Sequence, residues 1–486
     1  MMNGYYLKLF KEGNNMNIKK KIALAAIPAV MALSATDVSS KVLLMSDSGW
    51  EVSFDGAANA FYNHTSTGNM DTLGYYNEYT TGGETAASGI LGGGESGNVN
   101  RGGVIGQGEG GSDISSISVG LLPNVWGFTV KAPTKSGLDV SGRLGLYTHM
   151  NATGNSADAN VINIRETSLT VAGSFGSVLM GRSLGIHQSN AILNDMTLFG
   201  VGVAAGNIAG TTLGRIGVGY VYADWYPQIT WTTPGLGPIG AKIGILQATP
   251  LQSNTGADAT NTKYPRVEAQ LDYTFEVGGL GGYVWVDGQY QNVDRDTAES
   301  NLYQIRNTGI SNLSGVAAVS VDDDQSDGIE VGGVGFGTRL TFQGFKLVAS
   351  GFFNHGLGMQ FQGNSGGNYS GSLDERGKAR HFYGGYIQGT YDFGQGTNIG
   401  YSYGSNHLVQ TGQDAGEINQ RYTLGGGGTA RTDAIQNYVE SHMGMIWHNV
   451  TDDFRVIAEG VYSEAHWHGA GSQESSQVSV GAFFFW

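Results

Sequence analysis

Between residues 266 and 277 the chain reads RVEAQLDYTFEV, and its apolar and polar residues alternate without a break. Val267, Ala269, Leu271, Tyr273, Phe275 and Val277 fall on one face, and Arg266, Glu268, Gln270, Asp272, Thr274 and Glu276 on the other. A period of two belongs to a β-strand, since helical side chains repeat every 3.6 residues. The same rule governs WEVSFDGAANAFY, where Trp50, Val52, Phe54, Ala58, Ala60 and Tyr62 oppose Glu51, Ser53, Asp55 and Asn59. A single segment of this kind suits a soluble sandwich equally well. The number of segments and the lengths of their connections decide between the two.

Sixteen candidate strands follow one another, near 50–62, 116–131, 138–150, 162–172, 175–182, 219–232, 240–247, 264–277, 283–292, 329–342, 345–354, 381–392, 397–404, 434–448, 453–463 and 476–486. Short connections such as PTKSG, GSF, PGLGP, GGLGG, QG, FGQG and NVTDD interleave with long loops rich in Gly, Ser and Asn. That asymmetry characterises outer-membrane barrels, with tight periplasmic turns and long extracellular loops; a sandwich has no reason to obey it. Closure also satisfies every strand edge inside hydrocarbon, where water cannot. The expected fold is therefore all-β, a sixteen-stranded antiparallel transmembrane barrel. The composition agrees: 80 glycines among 486 residues, no cysteine and only 14% charged residues do not describe a helix-rich globular domain. No run of about eighteen apolar residues occurs beyond residue 40, which excludes a bundle of membrane helices. The lack of cysteine excludes a disulfide scaffold.

The N-terminal region supplies an address. From Met16, MNIKKKIALAAIPAVMALSA places Lys19, Lys20 and Lys21 ahead of a short apolar core, Ile22 to Leu33, with Ala32 or Ala35 as the cleavage residue. This is the pattern of an export signal. Residues 1–15 read as an upstream over-extension of the start, 16–35 as the signal peptide and 36–486 as one barrel domain. Removing residues 1–35 takes away five lysines and one glutamate, moving the net charge from −15 to −19.

Arginines test the assignment, because a lipid-facing Arg near the bilayer midplane costs roughly 2–4 kcal/mol. Arg143, Arg266, Arg339 and Arg455 all fall on the polar phase of their strands. Arg165 does so only in a register that turns Glu166, Ser168 and Thr170 outward. That face is poorly suited to lipid. Either the register differs there, or another subunit covers the face, which predicts a trimer with the early strands turned toward its partners.

At IRETSLTVAGSFGSVLMGRSLG (Ile164–Gly185), followed by NDMTLFGVG (Asn194–Gly202), the chain resembles the Gram-negative general porins. The first segment resembles their Arg-bearing strand, tight Phe-Gly turn and strand ending in Gly-Arg. The second is similar to the third loop, which folds back into the pore. The likeness extends over essentially the whole mature chain, although the long loops match nothing specific. It implies a Gram-negative outer-membrane location, a homotrimer in contact with outer-membrane lipid and lipopolysaccharide, and passive diffusion of small hydrophilic solutes and ions. It places a constriction loop at 183–218. By motif or position it assigns the eyelet to Arg143, Arg165 and Arg182 on the wall and Asp195 on the loop. The second acidic place of that loop is unmatched, since Phe199 stands there, and Asp224 is a further candidate from the loop's far end. The resemblance also implies that Phe484 and Trp486, in the terminal SSQVSVGAFFFW, form the signal read by the barrel-assembly machinery. Physically, Phe483 to Trp486 suit the aromatic girdle at the periplasmic interface. Net negative charge predicts mild cation selectivity. A substrate-selective channel, or a barrel whose loops act as adhesin or receptor, is the alternative.

Other chemistry is weakly encoded. GRSLG (Gly181–Gly185), GNSGG (Gly363–Gly367) and GYSYG (Gly400–Gly404) satisfy the Gly-x-Ser-x-Gly pattern, but none precedes the helix that a nucleophile elbow needs. No enzyme activity and no cofactor are expected, nor any nucleic-acid partner. GQGEGG (Gly106–Gly111) lacks the strand, helix and lysine of a phosphate loop. DDDQSDG (Asp322–Gly328) has the spaced carboxylates of a weak divalent-cation loop. It departs from an EF-hand at Asp327 and Gly333, so a solvated loop is the default. His466 and His468 are too few to make a metal site by themselves.

Overall fold

The computed structural model of the protein describes residues 42–68, 112–150, 162–203, 211–235, 237–251, 262–294, 328–363, 372–374, 378–412, 414–415, 436–468 and 472–486. The export signal at 16–35, the glycine loop at 106–111 and the acidic stretch 322–327 lie outside these residues.

Eighteen strand segments form one antiparallel sheet. They are β1 (Val42–Asp47), β2 (Trp50–Thr67), β3 (Ser112–Ser118), β4 (Asn124–Lys131), β5 (Asp139–Thr148), β6 (Ile162–Gly173), β7 (Gly176–Leu184), β8 (Trp225–Thr232) and β9 (Ile239–Leu246). The rest are β10 (Arg266–Val277), β11 (Leu280–Val293), β12 (Ile329–Phe342), β13 (Phe345–His355), β14 (His381–Asp392), β15 (Thr397–Val409), β16 (Gln436–Asn449), β17 (Phe454–Trp467) and β18 (Ser472–Phe485). From β4 to β18 each pairs with its neighbour, and β18 pairs with β2 from Ala57 to Thr67, which closes the sheet. β3 and β4 lie end to end along one edge of β2. β1 continues the β18 edge beyond Phe54. The wall therefore has sixteen positions, as the alternation predicted.

Three details differ from that expectation. The strand expected at 116–131 is broken between Ser118 and Asn124, where Pro123 has no N–H to give to a ladder. The strand expected from 219 begins only at Trp225. β1, a hairpin partner of β2 without clear alternation, was not expected.

Alternation sorts the two faces. Leu271, Val286 and Phe336 are laterally paired and exposed on the outer face. The opposite phase, including Gln270, Asp287 and Gln388, is buried in the lumen. At the end of the last strand Phe484 is exposed outward, whereas Phe483 and Phe485 are buried and turn inward, so only half of the terminal aromatics lie on the outer face where a girdle was expected. Trp486 packs near Phe54, Trp126 and Phe484, with ring centroids 5.6, 5.0 and 5.7 Å away. Its backbone N–H and C=O both bond to Gly56, at 3.1 and 2.9 Å. Only glycine fits there, because a Cβ would strike the Val125 carbonyl and the Trp486 ring.

Between β7 and β8 the chain enters the lumen as a loop, residues 185–224, longer than the 183–218 expected at its far end. It carries a short helix α1 (Ser189–Asn194) and a 3-10 turn (Met196–Phe199). Almost all of its described residues are buried, which places much of the hydrophobic core inside the barrel rather than between layers.

Candidate constriction site

On the wall where the loop originates, charge is concentrated. Arg143 of β5 donates from Nη1 and Nη2 to the two carboxylate oxygens of Asp55, at 2.6 and 2.8 Å, and from Nε to Glu166 at 3.3 Å. Its neighbour strand explains the ambiguity around Arg165. Gly145 pairs with Glu166 but Leu146 pairs with Ile164, so Arg165 is the extra residue of a β-bulge. A bulge brings two successive side chains toward one face. Glu166 is 6% exposed and accepts from Tyr147 Oη at 3.2 Å, and the Arg165 guanidinium lies over the Tyr147 ring at 5.1 Å. Beyond the bulge Thr170 is buried and Leu169 is 41% exposed. The expectation that Glu166, Ser168 and Thr170 face outward is therefore corrected: the register differs, and the polar outer face that argued for a covering subunit does not exist.

Arg182 follows Gly181, whose φ of +131° is open to glycine, and its Nε is buried with no hydrogen-bond partner among the described residues. Asp224 closes the loop in the left-handed region, φ +53°, and its carboxylate accepts from Trp225 N–H at 2.7 Å. Burial pushes the Asp224 carboxyl up, while the Trp225 N–H and the guanidinium groups of Arg165, Arg182 and Arg266 pull it back down. Arg266 is already engaged, 2.9 Å from Glu268 and 3.9 Å above the Tyr226 ring. Among the described residues Arg165 and Arg182 have no carboxylate within 4 Å.

Asp195 sits elsewhere. It is 5% exposed, caps the 3-10 turn through Thr197 N–H at 2.9 Å and Thr197 Oγ1 at 2.7 Å, and accepts from Tyr220 Oη at 2.7 Å. It shapes the loop from within; the carboxylate brought to the wall arginines is Asp224.

The far wall holds the loop by other means. Gln388 of β14 accepts from Met196 N–H and donates to the Asn194 carbonyl, at 2.9 and 2.7 Å, and Tyr386 Oη donates to Ala191 at 2.7 Å. Asn406 of β15 accepts from Gly219 N–H at 2.9 Å. Glu459 of β17 accepts from both Val201 and Gly202 N–H, at 2.9 and 2.8 Å, and Gln477 of β18 donates to Gly202 at 2.8 Å. Phe199 meets Phe483 and Phe485 edge-on, with centroids 5.7 and 5.4 Å apart. At the loop root His187 Nδ1 lies 2.6 Å from Asp287, and Glu268 accepts from His187 N–H at 2.9 Å. None of these clamps was singled out in the sequence. Their only signal was membership of the polar phase, which lumen lining shares.

Ser183 and Ser402 lie within β7 and β15, and Ser402 donates to Ile387, so neither stands on a strand-to-helix turn. Residues 364–367 of the third serine pattern fall outside the described residues. His466 is 2.8 Å from Glu464, whereas His468 meets the Leu408 carbonyl; among the described residues no three metal-ligating side chains converge.

No protein-family model and no curated protein matches the sequence. Solved structures do match. The outer-membrane channel DcaP of Acinetobacter baumannii superimposes with a TM-score of 0.57 at 14% identity, covering 92% of this chain and 100% of that one. The anion-selective porin from Comamonas acidovorans gives 0.52 at 11% identity, covering 90% and 100%. At such identities the likeness speaks for architecture, and it agrees with the closed wall and the inward loop: the chain has the sixteen-stranded fold of the outer-membrane porins.

Proposed function

We propose that the protein forms a water-filled channel in the Gram-negative outer membrane for passive diffusion of small hydrophilic solutes and ions. The observation that carries this reading is a loop strapped across the lumen of a closed barrel, beside a wall with two arginines, Arg165 and Arg182, that have no carboxylate within 4 Å among the described residues. Sixteen-stranded barrels are wide enough to leave an aqueous passage. The constriction is assigned to Arg143, Arg165 and Arg182 with Asp224, and Asp195 supports it from inside the loop. Two unit charges about 8 Å apart interact by roughly 2 kcal/mol at an effective dielectric of 20. A field of this size orients and biases solutes without gating them. Assembly as a homotrimer, contact with lipopolysaccharide and delivery by the barrel-assembly machinery belong to the same reading.

Selectivity is set by two opposed terms. The net charge of −19 of residues 36–486 favours cations at the mouths, and Arg165 and Arg182 favour anions at the narrowest part. Charges at the mouths act at range and are screened within about 8 Å at physiological ionic strength and about 3 Å at 1 M. Mild cation preference in dilute salt, fading in concentrated salt, is the expected reversal potential across a planar bilayer. The second reading, a channel selective for anionic solutes, is favoured by Arg165 and Arg182, which have no carboxylate within 4 Å among the described residues. Anion preference that persists at low ionic strength would establish it in place of the first. A protein that inserts but conducts nothing would overturn both.

A further inference from the structure

Beyond β13 the chain turns inward a second time. Gly356, Gly358 and Gly363 take φ of +71°, +89° and +72°, the left-handed region open to glycine. Gly363 N–H donates to the Leu357 carbonyl at 2.8 Å, which closes residues 357–363 into a compact turn. Its stem is fixed at Arg380, whose carbonyl accepts from Gly356 N–H at 2.8 Å and whose guanidinium is bidentate to Asp414, at 3.0 and 2.7 Å.

From that stem the turn reaches in three directions. Toward β15, Asn406 Nδ2 donates to the Met359 carbonyl at 2.8 Å and to the Tyr220 carbonyl at 3.2 Å, so one side chain ties this turn to the inserted loop. Toward β10, Arg266 Nη1 donates to Gln362 Oε1 at 3.1 Å, and a Cβ on Gly363 would stand 2.4 Å from the Pro250 carbonyl, just past the end of β9. Toward the lumen, Tyr222 N–H donates to the Gln360 carbonyl at 2.9 Å, and the Tyr222 carbonyl accepts from Gln362 Nε2 at 3.2 Å. The turn therefore spans the wall from β9 to β15 and rests on the limb of the inserted loop that runs to Asp224.

Its chemistry differs from that of the arginine wall. Residues 357–363, LGMQFQG, carry no charge. All of them are buried except Phe361, whose ring meets Tyr222 edge-on at 6.0 Å, and both of these rings stay partly exposed. A neutral obstruction limits the size of what passes and leaves the balance of anions and cations to the charged wall.

We infer that the turn 357–363 is a second constricting element, a size filter lying on the inserted loop, with the Phe361 and Tyr222 rings as its lip. The inference rests on the channel reading above. The chain has no cysteine, so Phe361→Cys places a unique thiol at the lip. Full-length protein in planar bilayers is measured with neutral polyethylene glycols of graded size, before and after reaction with a bulky uncharged methanethiosulfonate. Labelled Phe361→Cys should lose conductance and exclude smaller glycols than before labelling, with its reversal potential unchanged. Deletion of residues 357–362 should do the opposite, raising conductance and admitting larger glycols. Conductance indifferent to labelling, once mass spectrometry shows that the thiol has reacted, would overturn the inference, as would a thiol that reacts only in denaturant or a folded deletion variant with the wild-type size limit. Should the deletion variant fail to fold, the labelling result decides. A wild type that inserts without conducting refutes the channel itself, whereas a conducting protein insensitive to labelling at 361 refutes only the filter.

Discussion

The two sides of the lumen solve different problems with the same alternating pattern. The wall of β5–β8 carries guanidinium groups at its surface, one neutralised by Asp55 and Glu166 and two with no carboxylate within 4 Å among the described residues. The wall of β14–β18 presents mainly amides, hydroxyls and one carboxylate, and these bond to the backbone of the inserted loop. Charge left unpaired is available to solutes; polar groups saturated by a buried backbone are not. On the channel reading proposed above, the contrast separates a selecting side from a holding side.

The largest effect should follow from breaking the holding side. Glu459→Ala leaves the Val201 and Gly202 N–H groups buried without acceptors, at about 1–3 kcal/mol each. Hydrogen exchange at both amides should quicken by at least roughly tenfold while the barrel stays closed. Unchanged protection would mean that the remaining clamps and the packing of Phe199 hold this part of the loop without Glu459.

A smaller effect should distinguish two arginines of the selecting side. Arg165→Ala should widen the passage and move the reversal potential toward cations with little loss of stability, because no ion pair is broken. Arg143→Ala should shift selectivity in the same direction, and it should also lower the unfolding temperature, since Asp55 and Glu166 are left facing each other. If both variants keep wild-type selectivity, the eyelet lies elsewhere in the lumen.

The smallest effect concerns pH. Burial lifts the Asp224 carboxyl above the ordinary range, so it gains its proton earlier than a free aspartate as pH falls. The fold therefore binds that proton more tightly than the unfolded chain, and stability from this group rises as pH falls through the raised value. Cation preference should decline over the same interval in the wild type and be flat there in Asp224→Asn. Parallel pH profiles for the two proteins would remove Asp224 from the constriction.

Most of the wall was legible because alternation is a local signal, and the loop-length asymmetry fixed which end is which. The bulge was half legible. The adjacent pair Arg165 and Glu166 cannot both face the lumen in a regular strand, and sequence alone offered two ways out. The structure chose the extra residue. Alternation misled at 219–224, where Asp224 in the left-handed region ends the pattern before Trp225 begins a strand. The aromatic run at 483–486 was read as one girdle, although its period of two already divided it between lipid and lumen. The clamps were not legible at all, because Gln388, Asn406, Glu459 and Gln477 meet loop residues that lie far away along the chain.

Those separations, 192 residues for Gln388 to Met196, 258 for Glu459 to Val201 and 275 for Gln477 to Gly202, also order events in time. Contacts between distant parts of a chain form late, because the entropy of closing the intervening segment must be met first. Adjacent hairpins of the wall need no such wait. Residues 194–202 therefore find their acceptors only after β14, β17 and β18 have been laid down, and the closing pairing of β18 with β2, more distant still, comes after that. The narrowing expected of the mature pore is therefore tied to the same late strands that close the wall.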